Sequence, residues 1–426
     1  MHELMNRGRL AASATSVFLR STTGLLRLTT GVALGIWLLS PEMSRAAEEA
    51  IFEEAIFEEA IFEEAIIDET IIDETTVAET LEASNPREAV APSRPEAMHQ
   101  LNQQFSAGVI IPAYRSLTTQ AARLAQAGRD FEAEPTEANL SAARAAWLDT
   151  ASAWAASSAF AFGPVHSLGY SAALEFPSDE AGIETLLTDP AMLDAQTLAD
   201  LTTLPSLQGF DAIAYLLNGA SGNKSLDAFT AHERLYLRHL TTSAHAVATE
   251  LLEVWQIGWD GYPPYETLLT TAGQPGNSAY LSVEAGSEEI VRGIVNCLDV
   301  VANEELPALL EEQRQLLATA PDLVTLQLLN GSLKSVQAAY LGSPPGSSEK
   351  SVQSSVGLTY LVTTENEIVD QQIRQSLDIA TNGMANAIAD PSDTESLALA
   401  QASLFIAYTL LNQEVLPMVQ GEMGER

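Results

Sequence analysis

The sequence predicts an all-α protein, and three features of residues 96–426 indicate this class. Apolar residues recur at three- and four-residue steps, which is the period of an amphipathic helix, while the strict alternation typical of strands is scarce. Gly and Pro separate the periodic segments, and these residues end helices. Hydrophobic residues make up 46% of the 426-residue chain, so a large core can be buried. We expect a body built from helical bundles.

The periodic segments locate the individual helices. The clearest is 138–160, where Trp147 and Trp154 fall on one side and Thr136 or Asn139 is expected to cap the start. Further helices are expected at about 225–255, 284–319 with an interruption or kink at Pro307, 321–341, 365–389 and 393–416.

The body is expected to divide into two helical-bundle lobes. Residues 257–283 are rich in Gly, Pro and aromatic side chains and lack a helical period. Such composition is typical of loops between periodic segments. We therefore place the division between the lobes within 257–283.

Residues 1–47 have the features of an export signal. Arginines come first, at Arg7, Arg9, Arg20 and Arg27, and an apolar stretch follows from 28 to 39. Small residues flank Arg45, as they do at a signal cleavage site. The apolar stretch is shorter than the roughly 20 residues of a transmembrane helix. We expect the periplasm or cell envelope as the location, with membrane attachment only if this segment stays uncleaved.

Residues 48–95 are expected to be a disordered acidic spacer. Ile-Phe-Glu-Glu-Ala occurs three times from Ile51, and Ile-Ile-Asp-Glu-Thr then occurs twice from Ile66. Between 48 and 82 there are 14 acidic residues and no Lys or Arg. A five-residue period circles a helix and alternates faces in a strand, so neither structure gathers the isoleucines on one side. Burial then does not offset the cost of ordering the chain.

The formal net charge of −37 excludes one class of partner. Binding to nucleic acid draws on Lys and Arg, so we expect no nucleic-acid partner. Cations or basic proteins fit the charge better. The only cysteine, Cys297, lies in an apolar helical run, where packing is a better interpretation than nucleophilic catalysis.

Several segments together resemble one family in order and spacing, over about residues 96–420. They are Ile111-Pro112-Ala113-Tyr114, which we take as the opening of the first helix, Ala143-Arg144-Ala145-Ala146-Trp147, Phe160-Ala161-Phe162-Gly163-Pro164, Gly209-Phe210-Asp211-Ala212-Ile213-Ala214-Tyr215, and Val336-Gln337-Ala338-Ala339-Tyr340-Leu341-Gly342. This series resembles the imelysin-like family, which includes envelope peptidases and iron-regulated proteins of iron uptake. The resemblance implies a two-lobe all-helical fold.

The resemblance also implies a metal site at a Gly-x-His-x-x-Glu motif, and that motif is degenerate here. The glycine is kept as Gly209, but Asp211 stands in place of the histidine and Ala214 in place of the glutamate. The family also tends to carry acids after the second tryptophan of the earlier helix, where this chain has Ala155 and Ser158. The replacements put metal binding and hydrolysis at this site in doubt.

Two residues are candidate metal ligands. Asp211 is the only ligand type left in the motif, and a carboxylate suits iron or another divalent cation; the alternative is a helix cap or a surface acid. His166 follows Gly163-Pro164 and would reach the same pocket if that loop folds back; the alternative is an ordinary loop histidine. The remaining histidines of the body's long helix are interpreted as packing or surface residues; they are His232, His239 and His245.

Three functions remain open from sequence. The first is a non-catalytic envelope protein of iron uptake that binds a metal or an envelope iron-transport protein. The second is a metallopeptidase with a site rebuilt around Asp211, although no catalytic residue can be named. The third is a structural envelope scaffold in which the acidic spacer holds the helical body away from the membrane.

Overall fold

A computed structural model describes residues 93–188, 204–220, 222–316, 322–343 and 357–421. The predicted signal, 1–47, and nearly all of the predicted spacer, 48–95, lie outside these residues and stay predictions. The first helix begins at Arg94, so Pro95 lies within its first turn. The backbone N–H of Ser93 donates to Oε2 of Glu96 at 2.8 Å, which satisfies a donor at the helix start.

The described residues form helices and no strand, and one isolated β-bridge joins Trp259 to Tyr262. The predicted all-α class is therefore confirmed. In chain order the helices are α1 (Arg94–Phe105), α2 (Ile111–Ala133), α3 (Glu137–Ala155), α4 (Pro164–Ser167), α5 (Tyr170–Glu175), α6 (Glu180–Thr188), α7 (Gly209–Asn218), α8 (Ala231–Gln256), α9 (Tyr265–Thr270), α10 (Val283–Asp299), α11 (Leu306–Leu316), α12 (Leu323–Leu341), α13 (Leu358–Glu365), α14 (Glu367–Ala389), α15 (Thr394–Leu410) and α16 (Leu416–Gln420).

Polar caps set the starts of two long helices. Thr136 caps α3, since its Oγ1 accepts the Asn139 N–H at 3.2 Å, so the first of the two expected caps is the one used. Thr230 caps α8 in the same way, because its Oγ1 accepts the Glu233 N–H at 3.1 Å. Helix α8 therefore begins six residues later than the pattern from 225 indicated.

Among the described residues, three helix junctions are π turns, at Ser106–Ile110, Val300–Glu305 and Leu411–Val415. In the second of them the N–H of Leu306 reaches the carbonyl of Val301, one residue further back than in an α-helix. Each π turn is followed at the second helical position by a proline, which has no N–H to donate. These prolines are Pro112, Pro307 and Pro417. A widened turn accommodates the ring without ending the helix.

The π turns explain one difference from the sequence interpretation and one agreement with it. Ile111 and Pro112 do not open the first helix, because α1 and the π turn precede them without a break. The interruption expected at Pro307 is confirmed, and it takes the form of a π turn just before the proline.

The long helices of the described residues pack in two groups, and one helix contacts members of both groups. In the first, α2 runs along α8 and also contacts α3; in the second, α14 runs along α15. Helix α12 contacts both α3 and α14. The buried apolar side chains of the described residues form a continuous cluster from Ala97 to Val419. The division into lobes at 257–283 stays a prediction.

One helical run, Thr394–Gln420, is long and apolar enough to cross a membrane by length and composition alone. It comprises α15, the last π turn and α16, and it contacts α10, α11 and α14. A core helix of a soluble protein meets the same criterion, so the run by itself does not indicate a membrane span.

Candidate functional site

Gly209 starts α7 where another helix leaves no room for a side chain. Its φ is +84°, a left-handed conformation that favours glycine. A Cβ atom at this position would lie 2.7 Å from the carbonyl oxygen of Leu174. The indole N–H of Trp147 donates to the carbonyl oxygen of Phe210 at 3.0 Å and holds the same turn. Gly209 therefore lets the start of α7 touch the end of α5, whose last residue is Glu175.

Asp211 lies in the first turn of α7 and is half-buried. Burial first, and then the negative charge of Glu175, raise the pKa of Asp211 to about 7. Among the described residues none donates a hydrogen bond to its carboxylate. The helix cap is Gln208, not Asp211. Asp211 is therefore neither the cap nor a fully exposed surface acid, and it lies beside a second acid.

That second acid, Glu175, is held by the indole of Trp154. The Nε1–H of Trp154 donates to Oε2 of Glu175 at 2.6 Å. Burial raises the pKa of Glu175, and the bond from Trp154 partly opposes the rise. The second tryptophan of α3, which the family resemblance singled out, thus orients a carboxylate that sequence reasoning did not identify.

Glu175 and Trp154 line a cavity of about 570 Å³ between α3, α10 and α12. Its wall has an apolar part and a strongly acidic part. The apolar and aromatic lining residues include Trp154, Ala155, Phe162, Val300, Val301, Leu328 and Leu329. The charged lining residues are His166, Glu175, Glu289, Arg292, Asp299, Glu304 and Glu305.

The second π turn supplies two of these acids, Glu304 and Glu305. Both residues lie in the turn Val300–Glu305 just before Pro307, and both line the cavity. Burial first, then the charges of Glu175 and Glu304, raise the pKa of Glu305 to about 7. No hydrogen-bond donor to the Glu305 carboxylate is found in the described part of the chain.

Glu175 thus interacts electrostatically with two acids, Asp211 from α7 and Glu305 from the π turn. Partly buried carboxylates that raise one another's pKa share protons near neutral pH, because ionising all of them places like charges together in a poorly solvated space. A positively charged group entering the cavity would remove that repulsion. The arrangement is therefore suited to binding a cation.

Most other charged side chains of the cavity have partners. Nη2 of Arg292 is 2.7 Å from Oε1 of Glu288. Glu289 accepts a short hydrogen bond from the hydroxyl of Tyr280. Asp299 accepts from the side-chain amide of Asn303 at 2.7 Å. The uncompensated charge is therefore concentrated at Glu175 and the two glutamates of the π turn.

His166 lines this cavity, whereas Asp211, whose pocket it was expected to share, is not among the lining residues. It lies in the short helix α4, where Nδ1 is 3.3 Å from Oγ of Ser171. Burial lowers the pKa of His166, so the ring is neutral at pH 7. Whether it binds a metal stays a prediction.

The positions where the family carries acids hold small residues. Ala155 and Ser158 both line the cavity, so larger acidic side chains at these positions would enter it. Ala214 is half-buried and packs against the core. Loss of these acids leaves the cavity acidic nevertheless, because α5 and the π turn contribute their own.

Cys297, which the sequence assigns to packing, is one of the residues that line the cavity. Cys297 is buried, and burial raises the pKa of its thiol to about 12, so the thiol stays protonated at neutral pH. His232, His239 and His245 are half-buried along α8 and do not line the cavity.

The described residues do not form a catalytic metal centre. A catalytic zinc site needs about three protein ligands with an open position. No group of three or more His, Cys, Asp or Glu side chains that could hold a metal ion is found among the described residues. The cavity offers carboxylates, which suit hard cations, but it does not present them as a preformed set.

The fold and the motif positions define the class of protein. The chain belongs to the imelysin family, whose model, Imelysin, matches residues 110–412. The resemblance read from the segments between Ile111 and Gly342 is thereby confirmed.

Similar proteins agree with this assignment. Iron-regulated protein A of Synechococcus elongatus is 30% identical over 334 residues, covering 76% of this chain and 87% of that protein. A crystal structure described as an iron-regulated protein A precursor from Parabacteroides distasonis aligns with a TM-score of 0.65 and 18% identity, over 78% of this chain and 97% of that one. An imelysin-like protein from Psychrobacter arcticum aligns with a TM-score of 0.59 and 16% identity, over 76% and 96%. At these identities the two structures show a shared fold.

Sequence reasoning missed Glu175 and Glu305. Glu175 ends a six-residue helix outside the family motif, and nothing local marks it. Glu305 had a usable signal, because it lies two residues before Pro307 within a long apolar period. A proline inside such a period predicts a widened turn, although it does not predict what the turn faces.

Proposed function

We propose that this chain is an exported, non-catalytic imelysin-family protein of the cell envelope that takes part in iron uptake by binding a cation in its acidic cavity. One observation carries the proposal: Glu175 and Glu305 line the same cavity, Asp211 interacts electrostatically with Glu175, and Trp154 is the one hydrogen-bond donor to these carboxylates among the described residues. Carboxylates that destabilise the protein when they ionise are expected at sites where a bound ligand neutralises their charge.

The iron role is supported by the names of two relatives. The Synechococcus elongatus protein is an iron-regulated protein A, and the Parabacteroides distasonis protein is described as a precursor of one. A precursor is a form made before export, which agrees with the signal predicted at 1–47. A partner among envelope iron-transport proteins follows from the same role and belongs to the proposal.

We favour binding over hydrolysis on the residues found around Asp211 in the described part of the chain. A metal-bound water needs its metal ligands and a general base nearby, and no ligand group is assembled around Asp211. Cys297 is buried and protonated. A metallopeptidase rebuilt around Asp211 therefore gains no support. The scaffold hypothesis concerns the acidic spacer, which lies outside the described residues, and it stays a prediction.

Complementation under iron limitation tests the proposal. A strain lacking this chain is supplied with the wild-type chain or with a triple variant, Glu175→Gln, Asp211→Asn and Glu305→Gln. We expect the wild type, but not the triple variant, to restore cell iron content, and both chains to fractionate with the envelope. Glu134→Gln is the control, because Glu134 is exposed and does not line the cavity.

Two results would count against the proposal. Equal iron content with the wild type and the triple variant would separate the cavity from iron uptake. Recovery of the chain in the cytoplasmic fraction would exclude the envelope location.

A further inference from the structure

The cavity is much larger than a bare metal ion requires. Its volume is about 570 Å³, within the roughly 300–1,000 Å³ typical of small-molecule sites. A single ion needs several oxygen ligands at about 2.0–2.6 Å at the same time. The described residues bring no three such ligands together.

The lining has two parts of different chemistry. The aromatic rings of Trp154 and Phe162, with Leu328 and Leu329, form an apolar wall. Glu175 and Glu305 form a charged end, and each has acceptor capacity to spare. Only Oε2 of Glu175 receives a hydrogen bond from a described residue, and the Glu305 carboxylate receives none.

No positive side chain of the cavity neutralises that end. Arg292 is engaged by Glu288 on its own helix, with Nε and Nη2 both 2.7 Å from Oε1. His166 is neutral at pH 7, because burial lowers its pKa. A ligand that carries its own positive charge would neutralise the two glutamates.

We infer that the cavity binds an organic cation, with an ammonium or guanidinium group against Glu175 and Glu305 and an apolar body along Trp154 and Phe162. The inference rests on the proposed function, in which the cavity binds a cation, and it names the class of that cation. An ammonium group uses hydrogen bonds to well-separated acceptors and attraction to an aromatic face, so it does not need a preassembled ligand set.

Titration calorimetry of the full chain at pH 7.5 tests the inference. The probes are phenethylamine, which is cationic, its uncharged analogue 2-phenylethanol, and iron(II) and magnesium chlorides without oxygen. We expect phenethylamine to bind at least about tenfold more tightly than 2-phenylethanol, since a hydrogen bond with a charged group is stronger than one between neutral groups. The two metal salts should bind more weakly than phenethylamine.

Three variants and one control variant locate the binding. Glu175→Gln and Glu305→Gln should each weaken phenethylamine binding about tenfold or more, whereas Glu134→Gln should leave it unchanged. The glutamine keeps an oxygen that accepts from Trp154. Ser158→Phe adds bulk to the lining while leaving every carboxylate in place, so it should abolish phenethylamine binding. Thermal unfolding of each variant confirms that it is folded.

The outcomes separate this inference from the proposed function. Iron(II) or magnesium binding that is tighter than phenethylamine binding and survives Ser158→Phe overturns the organic cation and leaves the proposed function standing. Phenethylamine binding that persists in both glutamine variants overturns the inference as well. If no cation binds and the wild-type chain does not restore cell iron content, both the inference and the proposed function are wrong.

Discussion

Two acidic sites among the described residues, one fully buried and one half-buried, differ in how their charge is compensated. Asp370 in α14 is fully buried and accepts hydrogen bonds from Tyr340 at 2.7 Å, from Thr359 at 2.5 Å and from Arg374 at 2.8 Å. Glu175, at the cavity, accepts one hydrogen bond, from Trp154, and otherwise faces other acids.

The difference indicates what each site is for. A buried carboxylate with its acceptor positions filled stabilises the structure around it, because each donor would otherwise be left without a partner. A cluster of carboxylates without donors destabilises the empty protein when it ionises. Asp370 therefore joins α12, α13 and α14. The cavity acids instead destabilise the empty protein, and a bound cation can offset that loss of stability.

The largest expected effect is at the compensated site. Asp370→Ala should lower the free energy of unfolding by about 2–4 kcal/mol, because it leaves the hydroxyls of Tyr340 and Thr359 buried without an acceptor. Glu175→Gln at pH 8 should lower the free energy of unfolding much less than Asp370→Ala does, or should raise it. Urea unfolding of the two variants measures the comparison, and equal losses would contradict it.

The close approach of α5 and α7 should give the next effect. Gly209→Ala should cost about 2 kcal/mol or more, since it combines a left-handed φ with a contact of 2.7 Å to the Leu174 carbonyl. Gly276→Ala is the matched control, because its φ is +96° but nothing lies within 4 Å of the added Cβ. A loss at Gly209 no greater than at Gly276 would show that the helices adjust freely.

The smallest expected effect is a pH dependence at the uncompensated site. The pKa of Asp211 in the folded protein, about 7, exceeds its ordinary value of 3.8. Protonation therefore favours the native state, and this contribution is present below about pH 4 and is lost as the pH rises through 7. Asp211→Asn should consequently gain roughly 1–2 kcal/mol relative to wild type at pH 8 and nothing at pH 4.

Urea midpoints at the two pH values test this, with Glu134→Gln as the control. A variant less stable than wild type at pH 8 would mean that the Asp211 carboxylate has a favourable partner in the native state.

Much of the fold could be predicted from local sequence patterns, but the residues that line the cavity could not. The helices around Trp147, Trp154 and Tyr340 follow from apolar periodicity and caps such as Thr136, because these depend on neighbours within one or two turns. The family resemblance directed attention to Gly209 and Asp211, whose role as site residues stays a prediction. It did not reveal Glu175, which lies 36 residues before Asp211 in the sequence.

Pro307 illustrates what the sequence predicts and what only the packing of the helices determines. The sequence indicated an interruption there, and the structure has one. That the widened turn directs Glu304 and Glu305 into a cavity depends on where α3 and α12 lie, which no local pattern contains. The same holds for His166, whose place on the cavity wall required the loop after Pro164 to fold back.

The sequence by itself determined the helical class, the helix-breaking prolines and glycines and the loss of the family's His and Glu, because these are properties of residue type and short spacing. Only the tertiary structure decided that the site remains acidic. Interaction between carboxylates depends on their separation and on the solvent around them, and α5, α7 and the π turn before Pro307 meet only when the chain is folded.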